Sequence, residues 1–518
     1  MNIEALIKEI KSGKKNNSEL IEYKLSNNIK IEIYSESINR NEDILFFIAK
    51  SNKEKHLFVN TYNLSSEYFT KFEGILINSE KLVFIKECFL NKFNRKLIQE
   101  IFPFTKPILT GLKNSFGFGD RIGLSNSGHL RALKGHDFVP ILAQQSIREL
   151  TRTKRKPEDV MDAAVWAVFQ EGYKGGFGAD ADHLKTTEDI DLMLNAGYTM
   201  FTFDPGDHVD NNADDYNLEQ LNKSVSSLDW NQLNDNFNSA AERYLKNKII
   251  VNTELQLEVN EELVLRAYAK YGNSIIHIYK MFSYLESIAG NRKYEVEISV
   301  DETESVTSIF EHFFFVNELI RLGVKFISLA PRFIGEFEKG IDYKGDLEIF
   351  KEEYLKHHQV VKHFGNYKLS LHSGSDKFSV YAVIGSIPNT ITHVKTAGTS
   401  YLEALRVTAI KEPKLFREIL EFSRGLYENE KKTYHVSADL NKVFPEERYN
   451  DLELIDLFNQ EDARQVLHVT FGSVLTSVDE NGNYLFKDRI INCLKENEEE
   501  HYNVLIKHFN KHLDPFKM

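Results

Sequence analysis

Residues 178–186 bring together side chains that can do chemistry. The segment reads GADADHLKT and places two carboxylates, an imidazole and an ammonium close together in sequence. The imidazole of His183 suits a divalent cation, which leaves Asp182 to carry a proton and Lys185 to contact a substrate. An acid that caps the following helix is the structural alternative, but a cap needs only one carboxylate. We therefore predict that this segment is functional.

A second histidine follows another short apolar run. His372 opens the turn HSGSDK, in which Ser373 and its neighbours offer backbone amides to an anion. A lone histidine is more often structural. The position of His372 at a strand end, opposite His183, favours a metal ligand, and Ser373 is a predicted substrate contact.

The segment HVKTAGTS combines a histidine, a lysine and a glycine turn. Strand alternation puts His393 and Lys395 on one face. Gly398 and Thr399 begin a helix, where exposed amides bind anions. We therefore predict that Lys395, Gly398 and Thr399 hold a substrate anion. An internal ion pair between Lys395 and an acid of the fifth strand remains the alternative.

The segment 295–304 is rich in acids. Alternation puts Glu297, Ser299 and Asp301 on one face of the fifth predicted strand. A carboxylate inside a barrel is costly unless a cation or a basic side chain neutralises it. For Glu302 and its neighbour Glu304, a solvated loop is the alternative to a role in the site.

Two weaker candidates come earlier in the chain. The segment SFGFGDR resembles a phosphate-type glycine loop and ends at Arg121, a predicted substrate contact. Gln144 ends the second predicted strand and is suited to hydrogen bonds with substrate hydroxyls. Together with the histidines and acids, these residues predict an enzyme that acts on a small hydroxylated anion, such as a sugar acid or a sugar phosphate.

Eight short apolar runs, followed by polar loops and helical patterns, would position these residues. They are 107–111, 138–143, 176–179, 199–203, 294–300, 324–330, 367–371 and 391–394. Strands that alternate with helices predict a parallel sheet. Eight such units without a dinucleotide-type glycine fingerprint favour a (β/α)8 TIM-type barrel, whose reactive groups lie at the carboxyl ends of the strands.

The remaining segments are predicted to surround this barrel. Residues 1–104 form an N-terminal α/β accessory domain, and residues 105–518 form the catalytic barrel domain. The barrel domain carries a helical insertion at about 210–290 and a C-terminal extension from about 413. Two S-x-x-E capping boxes, at Ser308 and at Ser400, predict helix starts.

Composition narrows the class of protein. The 518 residues contain 64 Lys and Arg against 77 Asp and Glu, a net charge of −13, which argues against a nucleic-acid or anionic-membrane surface. Two distant cysteines exclude a disulfide framework and a thiolate metal cluster. The sequence shows no apolar signal core and no apolar span, so we expect a cytoplasmic protein. Whether it forms a homo-oligomer is left open.

These same segments resemble the tagaturonate epimerase family, the tagaturonate/fructuronate epimerases of bacterial hexuronate breakdown. The matching motifs are GFGDRIGL, ILAQQSIRE, GADADHLKT, SVDET, HSGSDKFSVY and HVKTAGTSYLEALR. They are long and unusual, and the resemblance extends from about residue 105 to about 440. The first hundred residues or so do not contribute to it.

The resemblance implies a metal-dependent epimerase that interconverts D-tagaturonate and D-fructuronate. Matching positions carry over Asp182 and Glu302 as acid/base groups and His183 and His372 as metal ligands. We choose His393 over Asp301 to complete the metal site. Zinc, manganese, nickel and cobalt all suit such ligands.

The chemistry of the implied substrate suggests a mechanism. The two ketouronates differ at C4, which is adjacent to neither the C2 ketone nor the carboxylate, so simple deprotonation cannot invert it. The C4 hydroxyl is β to the ketone, which permits retro-aldol cleavage, rotation of the aldehyde and re-addition. The alternatives are an aldolase acting on an anionic sugar, either metal-dependent or with a Schiff base at Lys395, and a sugar-acid binding protein.

Overall fold

The computed structural model describes residues 3–16, 20–25, 29–77 and 83–517. Its N-terminal elements are α1 (Ile3–Lys11), β1 (Ile21–Lys24), β2 (Lys30–Ile33), β3 (Asn39–Asn41), β4 (Ile44–Ser51), β5 (Glu54–Thr61), α2 (Glu67–Lys71), β6 (Gly74–Ile77), β7 (Phe84–Cys88) and α3 (Lys92–Ile101). The strands form a seven-stranded antiparallel sheet in the order β1-β2-β4-β5-β7-β6, and β3 also pairs with β4.

Strand alternation explains how this sheet buries both of its faces. Leu45 and Phe47 of β4 pack in one apolar cluster with Ile10 of α1. Phe46, from the other face of β4, packs in a second cluster that includes Trp166 from the following part of the chain. The central strand β4 is therefore apolar at nearly every position and joins the N-terminal sheet to the rest of the molecule.

The predicted (β/α)8 barrel is confirmed. Its strands are β8 (Ser115–Phe118), β9 (Val139–Ser146), β10 (Gly178–Leu184), β11 (Met200–Phe203), β14 (Glu295–Val300), β15 (Ser328–Pro331), β16 (Lys368–Leu371) and β17 (Thr392–Thr396), while β12 (Ile249–Ile250) and β13 (Gln256–Leu257) form a small separate hairpin. The eight barrel strands are all parallel and close in the order β10-β11-β14-β15-β16-β17-β8-β9.

Helices surround the barrel and continue into the C-terminal part of the chain. They are α4 (Asn126–Ala132), α5 (Ile147–Thr153), α6 (Pro157–Gln170), α7 (Thr187–Ala196), α8 (Leu218–Ser226), α9 (Phe237–Leu245), α10 (Glu261–Ala289), α11 (Ile309–Arg321), α12 (Leu347–Phe364), α13 (Phe378–Gly385), α14 (Thr399–Lys411), α15 (Pro413–Glu430), α16 (Asp451–Asp456), α17 (Glu461–Val469), α18 (Phe471–Thr476), α19 (Lys487–Glu496) and α20 (Glu498–Leu513). Short 3-10 turns lie at Ser35–Ser37, Pro103–Thr105, Gly206–His208, Asn211–Asp214, Lys431–Thr433, Leu440–Lys442, Glu446–Arg448, Leu457–Asn459 and Asp514–Phe516.

The first barrel strand differs from the prediction. Residues 107–111 are irregular, and the strand is the SFGF segment that the sequence analysis took for a glycine loop. The irregular segment lies near the start of the barrel strands, where the backbone amide of Thr110 donates to Glu295 and Lys368 donates to the Gly111 carbonyl. Gly117 faces inward, because a Cβ there would lie 1.6 Å from Gln144 Oε1.

Two other local predictions, the end of the third strand and the capping box at Ser400, differ from the structure, whereas the capping box at Ser308 is confirmed. The third strand extends to Leu184, so the acids of GADADHL belong to the strand rather than to the loop after it. Ser308 and Glu311 form the predicted capping box of α11. Helix α14, by contrast, has Gly398 as its N-cap, and Ser400 lies inside the helix with its hydroxyl 2.7 Å from His129 Nε2.

The connection between β11 and β14 contains α8, α9, the β12–β13 hairpin and the long helix α10. Its contacts reach the loop after β14. The backbone amide of Glu304 donates to Asn211 Oδ1 at 3.1 Å, and Lys270 Nζ donates to Ser305 Oγ at 2.7 Å. The segment therefore holds the loop that carries Glu302. Among the described residues, no helix is both long and apolar enough to cross a membrane.

Candidate active site

Lys395 of β17 lies inside the barrel among carboxylates. Its Nζ is 2.7 Å from Asp180 Oδ2, 2.8 Å from Asp182 Oδ1 and 2.6 Å from Glu297 Oε1. It also donates a 2.6 Å hydrogen bond to Thr202 Oγ1. The internal ion pair that the sequence left open as the alternative is thus present. The ammonium faces barrel acids rather than an open seat for an anion.

Burial and charge act in opposite directions on these groups. Burial lowers the pKa of Lys395, but the carboxylates outweigh it and hold that pKa well above the usual 10.5. Burial raises the pKa of Asp182, but the charges of Lys395, His183 and His372 together outweigh it and hold that pKa well below the usual 3.8. Burial raises the pKa of Asp180 to about 6, against the opposing charge of Lys395. Lys395 is therefore a charged ammonium at neutral pH.

His372, directly after β16, bridges two acids of the fifth barrel strand. Its Nε2 lies 2.7 Å from Glu297 Oε1, and its Nδ1 lies 3.1 Å from Asp301 Oδ1 and 3.4 Å from Ser299 Oγ. Glu297, Ser299 and Asp301 therefore share one face, as strand alternation predicted. Burial lowers the pKa of His372, but Asp301 and Glu297 outweigh it and raise the pKa to about 9.

His183, near the end of β10, approaches His372 from across the barrel. Its backbone has φ +51°, an uncommon value for a residue other than glycine. Its Nδ1 lies 3.2 Å from Asp204 Oδ2, its Nε2 lies 3.8 Å from Asp182 Oδ1, and its ring centroid is 5.1 Å from that of His372. Burial lowers the pKa of His183, but Asp182 and Asp204 raise it to about 10.

Three of these side chains offer metal-ligand atoms at one point. One atom each of His183, Asp301 and His372 lies within 4.8 Å of the other two. They come from the ends of three different strands, and imidazole and carboxylate groups are the usual protein ligands of zinc and related divalent cations. The donor set therefore fits a divalent cation.

The charge around this point also fits a cation. The carboxylates that surround it are mostly buried; they are Asp180, Asp182, Asp204, Glu297 and Asp301. Lys395 and the protonated imidazoles of His183 and His372 supply three positive charges against these five carboxylates. Buried carboxylates need compensation, and a cation between His183 and His372 would provide it.

The third predicted metal ligand, His393, lies in a different group. Its ligand atom is close to those of Asp180 and Glu297, and its Nδ1 lies 3.0 Å from Ser115 Oγ of the first strand. It is fully buried, and burial lowers its pKa to about 3. The structure therefore brings His183 and His372 together with Asp301 and places His393 beside other acids, in contact with the first barrel strand.

Glu302 and Lys185 lie at the rim of the barrel. Glu302 is exposed and faces Arg148, with 3.4 Å between Glu302 Oε1 and Arg148 Nη2. It also forms a group with His183 and Asp204 whose ligand atoms lie within 4.8 Å of one another. Lys185 is exposed, with its Nζ 2.8 Å from Asp207 Oδ1. Glu302 is thus a close neighbour of His183, whereas Lys185 pairs with an acid at the surface.

Arg121 and Gln144 both line the cavity between these groups. Arg121 is buried and paired with Glu149 at 2.8 Å, and its guanidinium stacks over the Phe471 ring. Gln144 donates a hydrogen bond to the Thr396 carbonyl, whereas its Oε1 is buried without a hydrogen-bond partner among the described residues. Gln144 therefore keeps an acceptor available inside the barrel.

The two predicted anion-binding sites, at Ser373 and at Gly398 and Thr399, differ in whether they are open to the cavity. Ser373, at φ +52°, lines the cavity and accepts a 2.6 Å hydrogen bond from Lys339. Gly398 and Thr399 are buried, and a Cβ on Gly398 would lie 1.9 Å from His468 Nε2. His468 therefore covers the start of helix α14. Of the predicted anion-binding residues Ser373, Gly398 and Thr399, Ser373 is the one that lines the cavity.

The cavity has an inner and an outer part. The inner cavity reaches Gln144, Asp182 and Lys395, and the outer cavity, about 470 Å³, opens past Glu302. Both parts are lined by Arg148, Lys339, His372, Ser373 and Tyr434. A small polar substrate that enters through the outer cavity would therefore meet the two histidines at the junction.

Several residues of this site were not among the site residues predicted from the sequence. Asp301 was passed over in favour of His393, although its shared face with Glu297 was recognised. Asp204 directly follows the fourth barrel strand, in a short Asp-Pro-Gly segment that is equally compatible with a simple turn. Lys339 lies in the loop after β15 and His468 in helix α17, and neither belongs to a motif, so no sequence signal pointed to them.

Comparisons with known proteins agree with this architecture. Residues 34–516 match the family described as UxaE, tagaturonate epimerase. A tagaturonate/fructuronate epimerase from Thermotoga maritima is 41% identical over 489 residues, which cover 93% of this chain and 96% of that protein. A glycerol-complexed crystal structure of the fructuronate-tagaturonate epimerase UxaE from Cohnella laeviribosi has a TM-score of 0.88 and 37% identity, covering 94% of this chain and 96% of that one. The native crystal structure of the same enzyme gives the same values.

Proposed function

The chain belongs to the tagaturonate epimerase family and is a carbohydrate epimerase, and from this premise we propose that it interconverts D-tagaturonate and D-fructuronate. The observation that supports this most strongly is the 41% identity to an epimerase of that name over nearly the full length of both chains. The pairing of His183 and His372 beside acids at the barrel mouth is consistent with it.

We propose that inversion at C4 proceeds by retro-aldol cleavage. A base takes the proton of the C4 hydroxyl, the C3–C4 bond breaks, and its electron pair moves to the C2 oxygen as an enediolate. The C4 aldehyde then turns its other face, C3 adds to it again, and the C4 oxygen regains a proton. Every atom is conserved, and the hydrogen on C4 never leaves its carbon.

His183, His372 and Asp301 are the proposed holders of a divalent cation, namely zinc, manganese, nickel or cobalt. Such a cation supplies Lewis-acid stabilisation of negative charge on oxygen, worth several kcal/mol in general. His393, the third ligand predicted from the sequence, is proposed to support Glu297 and Asp180 from β17, across the barrel interior. Glu297 lies 2.7 Å from Nε2 of His372 and orients the ring, which leaves Nδ1, on the side of Asp301, as the nitrogen that would bind the cation.

Asp182 and Glu302 are the proposed proton carriers. Both are neighbours of His183: Asp182 lies 3.8 Å from its Nε2, and Glu302 belongs to the group formed by His183 and Asp204. Asp182 is buried beside Lys395, while Glu302 lies on the exposed loop after β14. A substrate between them would meet one carboxylate from the interior and one from the rim, which suits removal and return of a proton on different faces.

The aldolase alternative with a Schiff base at Lys395 is disfavoured by the ion pairs of Lys395. A lysine nucleophile must be neutral to attack a ketone. Burial lowers the pKa of Lys395, but Asp180, Asp182 and Glu297 hold it well above its usual value. Lys395 is therefore proposed to hold Asp182 and Glu297 in position, and Gln144 to contact substrate hydroxyls.

Other expectations from the sequence are kept here as proposals. We retain the division into an accessory domain up to residue 104 and a catalytic domain from 105 onward. A cytoplasmic location agrees with a metabolic epimerase. The insertion after β11 is proposed to steady the Glu302 loop while the cleaved aldehyde turns.

The experiment that tests this proposal uses D-tagaturonate carrying deuterium at C4, followed by NMR. We expect D-fructuronate to appear with the deuterium still on C4, because the retro-aldol route never breaks the C4–H bond. Two variants are assayed beside the wild type: Asp182→Asn, which removes a proposed proton carrier, and Lys362→Met, which is the control. The former should lose most of the activity, and the latter changes an exposed lysine of α12 and should keep it. Product without deuterium would refute the retro-aldol route, and no product would refute the proposed reaction.

A further inference from the structure

Most basic side chains that line the inner cavity are already neutralised. Lys395 is surrounded by three carboxylates, and Arg121 is paired with Glu149 at 2.8 Å. Arg148 faces Glu302 across the rim at 3.4 Å. A substrate that carries a carboxylate would have to compete with these acids for each of the three cations. The site therefore needs another positive group to recognise an anionic substrate.

Lys339 meets this need. In the part of the chain that the structure describes, it is the one lysine or arginine of the inner cavity that pairs with no carboxylate. Its Nζ donates a 2.6 Å hydrogen bond to Ser373 Oγ, a neutral acceptor, and it is half-buried where the inner and outer cavities meet. Its own backbone amide is fixed by a 3.3 Å hydrogen bond to the His435 carbonyl.

The groups next to Lys339 are neutral, whereas those around His183 are acidic. His468 lines the same cavity, and its Nδ1 is buried without a hydrogen-bond partner among the described residues. Burial lowers the pKa of His468 well below its usual value, and the charges of Arg121 and Lys339 add to the effect. The cavity thus has a cationic side, whose charge is that of Lys339 beside the neutral Ser373 and His468, and an acidic side around His183 and His372.

We propose that Lys339 binds the carboxylate of the sugar acid, with Ser373 as a second donor. This rests on the proposed function and names the group that selects an anionic substrate. The ketone and the C3 and C4 oxygens of a ketouronate lie at the other end of the molecule from its C6 carboxylate. The cationic side holds that carboxylate, and the acidic side takes the reacting carbons. Because C6 belongs to the aldehyde fragment after cleavage, Lys339 also retains that fragment while it turns.

The test compares three variants of the full chain on D-tagaturonate. Lys339→Met removes the charge, and Lys339→Arg keeps it. Lys325→Met makes the same chemical change at an exposed lysine before β15, at the opposite end of that strand from the cavity. We expect KM to rise about 10- to 100-fold in K339M, the usual range for a lost charge-assisted hydrogen bond. K339R should lie closer to the wild type than K339M does, and K325M should match the wild type.

A neutral ligand separates recognition of charge from general distortion. D-tagatose has the same ketose carbons but no carboxylate, so its inhibition constant should be unchanged in K339M. An equal loss of affinity for D-tagatose and D-tagaturonate would overturn the inference, as would a K339M enzyme with wild-type KM. Absence of turnover in the wild type would refute the proposed function and this inference together. Turnover with an unaltered KM in K339M would refute the inference alone.

Discussion

Replacing Lys395 by methionine tests the electrostatic account of the barrel interior. Met keeps the length and apolar stem of the side chain but removes the ammonium that lies 2.6 to 2.8 Å from Glu297, Asp180 and Asp182. Breaking a buried ion pair by removing one partner costs about 3–5 kcal/mol, because the other charge is left uncompensated. Asp180 limits this loss, since its pKa of about 6 lets it take up a proton readily. We therefore expect the K395M protein to lose about 3–5 kcal/mol of unfolding free energy at pH 7.

The assay is urea denaturation of metal-free protein in EDTA, followed by circular dichroism, with Lys362→Met as the matched control. Lys362 is exposed on α12, so the control changes the same groups without touching the barrel interior. In the K395M/D180N double variant one buried acid is neutral, and part of the lost stability should return. A K395M protein as stable as the control would refute the claim that Lys395 neutralises the acids.

The effect of K395M on the free energy of unfolding should depend on pH in a definite direction. In the wild type the charge of Lys395, together with the neighbouring histidines, holds the pKa values of Asp182 and Glu297 below their usual values, against the effect of burial. Their contribution is therefore present above the unfolded pKa values near 4 and is lost as pH falls through the folded ones. In K395M the same acids are destabilising while ionised and are relieved by protonation. The stability difference between the two proteins should shrink as pH falls from 7 towards 4.

Two further predictions concern the metal ligands and the N-terminal sheet. Asp301→Asn removes a proposed ligand while keeping its shape, so metal affinity measured by chelator competition should fall at least about 10-fold; unchanged affinity would exclude Asp301 as a ligand. Glu498→Gln removes a buried carboxylate that pairs with Lys50 and Lys55 of the N-terminal sheet, and thermal unfolding at pH 7 should reveal a loss of about 3 kcal/mol. Burial raises the pKa of Glu498, but the two lysines hold it well below 4.5. The wild-type advantage should therefore be full above about pH 4.5 and diminish below it, and an advantage independent of pH would contradict the ion-pair explanation.

Local patterns predicted much of the fold because the barrel strands are short, most of them carry apolar residues, and helices separate them. Seven of the eight predicted runs overlap observed strands. The exception, 107–111, is apolar but irregular, because its backbone groups are satisfied by Glu295 and Lys368 from other strands. Such long-range hydrogen bonds leave no trace in a local pattern.

The sequence predicted which types of residue form the site, but not how deep inside the barrel each side chain lies. Alternation correctly put His393 and Lys395 on the inner face, yet it does not say which layer of the barrel each reaches. His393 contacts the first strand through Ser115, whereas His372 lies at the mouth beside Asp301. The closure of a barrel fixes those layers, so the sequence alone could not place His393 and Asp301 relative to His372.

Metal dependence at the His183, His372 and Asp301 site is the central claim, and one measurement tests it most directly. Purified enzyme is treated with EDTA, freed of chelator and incubated with D-tagaturonate, and D-fructuronate formation is followed by proton NMR before and after zinc, manganese, nickel or cobalt is added. We expect epimerisation to stop after EDTA and to return with at least one of these metals in the wild type but not in His372→Gln. Full epimerisation by the metal-free enzyme would contradict it.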